Sequence, residues 1–121
     1  MHKLVILIEP LEDTQLFDSK WPEFLNLAEN MPGAKSEAIC RIEQFLFGKM
    51  KYGMVYELYF NSLREVEEAM ASPQGQAAGQ VLQLITGGNI AIYICNHKQD
   101  TIANIRRFIP VKKLSENKPA N

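Results

Sequence analysis

Two cysteines in 121 residues are too few for a disulfide framework. Cys40 and Cys95 fall in apolar, strand-like segments, so they read as buried free thiols of a chain kept in a reducing cytoplasm. Excess charge of one sign is also missing. Thirteen basic residues stand against 14 acidic ones, a balance that disfavours a general polyanion binder. The apolar run Leu4–Ile8 falls far short of the ~20 residues that cross a bilayer. Glu9 and Pro10 interrupt it, so no signal peptide is expected. There is no GxGxxG, no phosphate-binding glycine loop and no serine nucleophile elbow. The two histidines, His2 and His97, sit in no metal-ligand spacing. No site for flavin, haem or metal is therefore expected, and the length suits one domain.

The chain contains six elements at this level of reading, the two helical pieces of Leu63–Ile85 counting as one. Leu4–Glu9 is a strand of branched apolar residues. Leu11–Met31 is largely helical, with Phe24, Leu27, Ala28 and Met31 forming a stripe at i, i+3, i+4, i+7. Pro22 should kink or restart that helix, and Pro32-Gly33 stops it. Ala34–Phe47 reads as one long strand, Gly48–Gly53 as a turn and Met54–Phe60 as the third strand. Ser62-Leu63-Arg64-Glu65 has the spacing of a capping box and opens a helix. Ser72-Pro73 ends it and starts another, with proline where its missing donor costs nothing. Gly87-Gly88 leads into the fourth strand, Asn89–Cys95. The order βαββαβ predicts an α+β, ferredoxin-like sandwich over residues 1–96. Residues 97–121 form a C-terminal extension, in which Ile105–Val111 suggests an extra strand and Ser115–Asn121 poor order.

Two strands are apolar at every position: Leu4–Ile8, and Ile90–Ile94 but for the polar tip of Tyr93. An antiparallel sheet with one wet face should alternate. The helices can cover one face only, so the other needs a cover, and a second copy about a two-fold axis is the simplest. A homodimer with two sheets face to face, a dimeric α+β barrel, is expected; the alternative is the C-terminal tail folding across the open face.

Strand parity assigns the faces. Tyr56, Leu58 and Phe60 should lie under the helices, leaving Val55, Glu57 and Tyr59 pointing into the barrel. On the second strand the small Ala38, Cys40 and Ile42 suit the helix side, which turns Ile39, Arg41, Glu43 and Phe45 inward. Tyr93 joins them from the fourth strand. Arg41, Glu43, Glu57, Tyr59 and Tyr93 would then line an apolar interior, as satisfied ion pairs or as a ligand pocket. Glu57 with Tyr59 is the candidate catalytic pair. Arg41 beside Glu57 would lower its pKa, whereas desolvation alone would raise it towards that of a useful base.

The RNA recognition motif shares this element order. Lys51–Glu57 superficially resembles its third strand, but Met54 and Glu57 stand where stacking aromatics belong, and an acidic sheet face repels phosphate. No nucleic-acid partner is expected.

Several segments together resemble the EthD family of small dimeric α+β barrel proteins. They are the apolar first strand, the helix ending Met31-Pro32-Gly33, Tyr59-Phe60-Asn61-Ser62, Ala71-Ser72-Pro73-Gln74-Gly75-Gln76, and Gly87-Gly88. The resemblance spans Leu4–Cys95. It implies the fold shared by muconolactone isomerases, small quinone-forming monooxygenases and polyketide-processing enzymes. It also implies a hydrophobic, aromatic or polyketide-like small molecule, bound for cofactor-independent oxidoreductase, isomerase or cyclase chemistry or by a non-catalytic accessory protein. Many members carry a histidine in the first helix, where this chain has Phe24. Phe24 is thus expected to fill the place of that histidine in the apolar stripe or the pocket wall.

Overall fold

The computed structural model describes residues 1–49 and 51–103. Its elements are β1 (His2–Ile8), α1 (Gln15–Glu29), β2 (Ser36–Arg41), β3 (Met54–Phe60), α2 (Leu63–Ala71), α3 (Pro73–Thr86) and β4 (Ile90–Asn96). The four strands form one sheet in the order β2-β3-β1-β4. Every neighbouring pair is antiparallel, which is the ferredoxin-like arrangement. The extra strand expected over Ile105–Val111 and the tail Ser115–Asn121 lie outside the described residues. Among the described residues no helix is long and apolar enough to cross a membrane.

Local chemistry sets the boundaries. The Ser62 hydroxyl accepts from the Glu65 N–H at 3.2 Å, and the Glu65 carboxylate accepts from the Asn61 N–H at 3.0 Å, one residue before the cap. Ser72 closes α2 and caps α3, accepting from the Gly75 N–H at 3.1 Å. Gly87, at φ 63°, ends α3 in the left-handed region, where a Cβ is disfavoured. The helix α1 runs through Pro22 without restarting.

Tyr56, Leu58 and Phe60 pack in one core with Leu4, Ile6 and Ile8 of β1 and with Phe24, Val66 and Leu82 from the helices. The alternation expected for β3 is therefore observed, buried at every second residue. The second strand departs from expectation in length and in parity. It ends at Arg41, and only the Ile42 N–H continues the ladder, donating to the Gly53 carbonyl at 2.9 Å. Phe45, Leu46 and Phe47 lie beyond it, exposed. Aromatic and branched composition does not make a strand where no neighbour offers hydrogen bonds.

The α2–α3 corner gives a paired prediction. A Cβ on Gly75 would lie 2.2 Å from the Ala69 carbonyl oxygen and 2.8 Å from that of Met70, whereas one on Gly79 would meet nothing within 4 Å. Gly75→Ala is expected to destabilise the protein by about 1–3 kcal/mol through overpacking. Gly79→Ala should stabilise it by about 0.5–1 kcal/mol by restoring helix propensity. Urea unfolding of the two variants checks the opposite signs.

Candidate functional site

The pairing register shows which side chains share a face. Val5 stands opposite Glu57 on one side and Tyr93 on the other, and Ala38 lies opposite Glu57. Lys3 pairs with Tyr59 and Cys95, and Tyr59 with Ser36. These residues occupy the sheet face away from the helices, and Tyr93 there is 54% exposed. Glu57, Tyr59 and Tyr93 thus lie on one face, with Val5 between Glu57 and Tyr93.

Arg41 does not join them. It pairs with Met54, and Ile39 pairs with Tyr56, so both lie on the helix side, and the inward and outward sets of β2 are exchanged relative to expectation. Arg41 instead lines a small recess of about 180 Å3 with Pro10, Phe17 and Asp18. Glu43 lies past the end of β2, exposed and off the sheet. The cause is the edge position of β2. It pairs with β3 alone and buries little, Ile39 being 44% exposed, so small residues do not mark its covered face. Ala38 and Cys40 consequently sit on the open face. Neither cysteine is buried as expected: Cys40 is exposed and Cys95 half-buried, both as free thiols.

Lys3 takes the role expected of Arg41. Its ammonium donates to the Glu57 carboxylate in an ion pair and lies 5.6 Å from the centre of the Tyr59 ring. The Tyr59 hydroxyl donates to the other Glu57 oxygen at 3.1 Å, and His97 meets the Tyr59 ring edge to face at 5.1 Å. Burial pushes the Glu57 pKa up, but the hydrogen bonds from Lys3 and Tyr59 outweigh it and hold the carboxyl below its ordinary value. The bond to Glu57 raises the Lys3 pKa. Burial first, and then the bond to Glu57, raise that of Tyr59. The cluster is a satisfied polar island on the open face.

The larger cavity is on the other side, between the sheet and the helices. It measures about 340 Å3, and its floor is Leu4, Ile6, Phe24, Ala28, Leu58 and Leu82. Tyr56 closes one wall, and Gln76, Gly79, Gln80 and Gln83 of α3 stand along the rim. Phe24 stacks on Trp21 at 4.9 Å and meets Tyr56 edge to face at 5.4 Å. It therefore belongs both to the apolar stripe and to the cavity wall. The Tyr56 hydroxyl donates to Glu37 at 2.8 Å, and burial followed by this bond pushes its pKa far up, so the phenol is neutral. Glu37 in turn raises the pKa of Glu29, chiefly through a side-chain hydrogen bond. Lys3 and Glu37 lie in no motif, and of the rim glutamines only Gln76 falls in a segment that resembles the family. Their roles follow from register and from helix packing. Among the described residues no three His, Cys, Asp or Glu side chains cluster as a metal ion would need.

No protein-family model matches the chain, and no curated protein matches it. Solved structures do. An ethyl tert-butyl ether D (EthD) family protein from Bacillus halodurans is 26% identical and superposes with a TM-score of 0.73, over 81% of this chain and 99% of that one. A dimeric ferredoxin-like protein of unknown function from Jannaschia is 17% identical, with a TM-score of 0.62 over 79% of this chain and 98% of that one. SnoaB, a cofactor-independent oxygenase from Streptomyces nogalater, is 12% identical, with a TM-score of 0.63 over 84% of this chain and 96% of that one. These last two show the fold alone. Over nearly the whole length of the Bacillus halodurans protein this chain has the same fold, and its resemblance to the EthD family holds in sequence and in structure.

Proposed function

We propose that this chain is a cytoplasmic, homodimeric ligand-binding protein that holds an aromatic or polyketide-like small molecule in the cavity between its sheet and its helices. The observation that carries this reading is the cavity itself. Its 340 Å3 falls within the range of ligand sites, roughly 300–1,000 Å3. Its floor is apolar, and its few polar groups converge at one rim. The dimer is supported by the open sheet face. Val5, Leu7, Val55 and Ala91 surround the Lys3–Glu57–Tyr59 island there, and a second copy would bury both. The dimeric neighbour from Jannaschia supports the same assembly. Native mass spectrometry of the purified protein tests the reading: it should give twice the chain mass and a small-molecule adduct. A bare monomer would count against it.

Cofactor-independent oxidoreductase, isomerase or cyclase chemistry is the second reading, favoured by the likeness to SnoaB. In that case Glu57 would act as base and Tyr59 and Tyr93 as polar contacts inside the barrel. Arg41 and Glu43 take no part in it, because neither lies on that face. Glu57→Gln separates the two readings. Ligand binding with a weakened dimer supports Glu57 as an interface residue. Loss of turnover with ligand binding intact supports catalysis.

A further inference from the structure

The rim of the cavity is a single row on α3. Gln76, Gly79, Gln80 and Gln83 follow the i, i+3, i+4, i+7 spacing, and all four line the cavity. The Gln76 amide donates to the Met70 carbonyl at 3.3 Å, which fixes its direction. Gln80 and Gln83 make no hydrogen bond with any described residue, so their amides are free to meet a ligand. Gly79 sits between them with open space where a side chain would project.

We propose that this glutamine row selects an uncharged ligand, an apolar ring system carrying a hydroxyl or carbonyl group, and turns away carboxylates of the same shape. The inference rests on the cavity being the ligand site. Three observations lead to it. An amide both donates and accepts, so it serves a hydroxyl and a carbonyl equally. Among the described residues that line the cavity there is no Lys, Arg or His to replace the hydration of an anion. The Tyr56 wall is backed by Glu37, with Glu29 beside it, so the groups behind that wall are acids. A carboxylate entering here loses water, gains no counter-charge and faces two acids. Gly79 leaves room for the ring at the rim.

Titration calorimetry with β-naphthol and β-naphthoate near neutral pH tests this. The two share one ring system and differ in charge. The wild-type protein should bind β-naphthol about tenfold or more tighter than β-naphthoate. Gln80→Leu with Gln83→Leu should weaken β-naphthol binding about tenfold, and Gln83→Arg should reverse the preference by supplying the missing cation. Gln80 and Gln83 are exposed, so these variants should fold, as the fluorescence of the single Trp21 would report. Equal binding of the two probes, or a β-naphthol affinity unchanged by loss of both amides, overturns the selection while leaving the cavity as the site. Gly79→Phe should abolish binding of both. If it does not, or if neither probe binds the wild-type protein, the cavity is not the site and the selection falls with it.

Discussion

Phe24→Ala is expected to lose about 3 kcal/mol of unfolding free energy, the usual cost of deleting a buried aromatic ring. Phe24 is 2% exposed. Its ring stacks on Trp21 and abuts Tyr56, so its removal breaks both contacts and leaves Trp21 packed only on Phe17 and on the edge of Tyr56. The void would join the existing cavity, whose wall Phe24 already forms, so neighbouring side chains cannot collapse to fill it. The large effect therefore has two parts, lost burial and an unhealed cavity. Urea unfolding followed by Trp21 fluorescence measures it. A variant of unchanged stability with altered affinity for an apolar probe would show that Phe24 acts only as a pocket wall.

Lys3→Met is the second large effect. Both members of the Lys3–Glu57 pair are about one-sixth exposed, with side-chain accessibilities of 17% and 16%. Removing the ammonium leaves the carboxylate with the Tyr59 hydroxyl as its remaining partner, at a cost of about 1–3 kcal/mol. The Glu57 pKa should then rise, because burial would be opposed by the Tyr59 bond and His97 alone. The pH dependence follows from the directions. Glu57 is lowered on folding, so its contribution is full above 4.5 and fades as pH falls through the folded value. Lys3 is raised on folding, so its contribution is full below 10.5 and fades as pH rises through the folded value. The wild-type protein should lose the pair's stabilisation at both extremes, and Lys3→Met should flatten both limbs. Unfolding titrations across pH, with NMR detection of the Glu57 carboxyl, give the comparison. An unmoved Glu57 pKa in the variant would show that Lys3 contributes nothing to the pair.

The elements were legible wherever packing enforces a period. In β3 every second side chain lies under the helices, so Tyr56, Leu58 and Phe60 declared their face, and with it that of Glu57 and Tyr59. The Phe24 stripe and the Ser62 and Ser72 caps were legible because each follows a local rule of spacing. The face of β2 was not legible. An edge strand with mostly exposed residues carries no burial period, and its register is set by pairing with β3. The misplaced parity exchanged Arg41 for Ala38, and so hid the true partner of Glu57, which comes from β1. The cavity was illegible for a different reason. It is a gap between layers, set by the approach of α3 at Gly75 and the missing side chain at Gly79, and no motif encodes a gap.

In the proposed function the ligand lies under the helices and not between two sheets, and β1 itself offers the test. Leu4 and Ile6 line the cavity, while Val5 and Leu7 point to the opposite face. In a methyl-labelled sample titrated with β-naphthol, the signals of Leu4, Ile6 and Leu58 should shift in proportion to occupancy, and those of Val5, Leu7 and Val55 should stay in place. The reverse pattern, with Val5, Leu7 and Val55 moving and the cavity methyls still, would place the ligand inside the barrel and contradict the account.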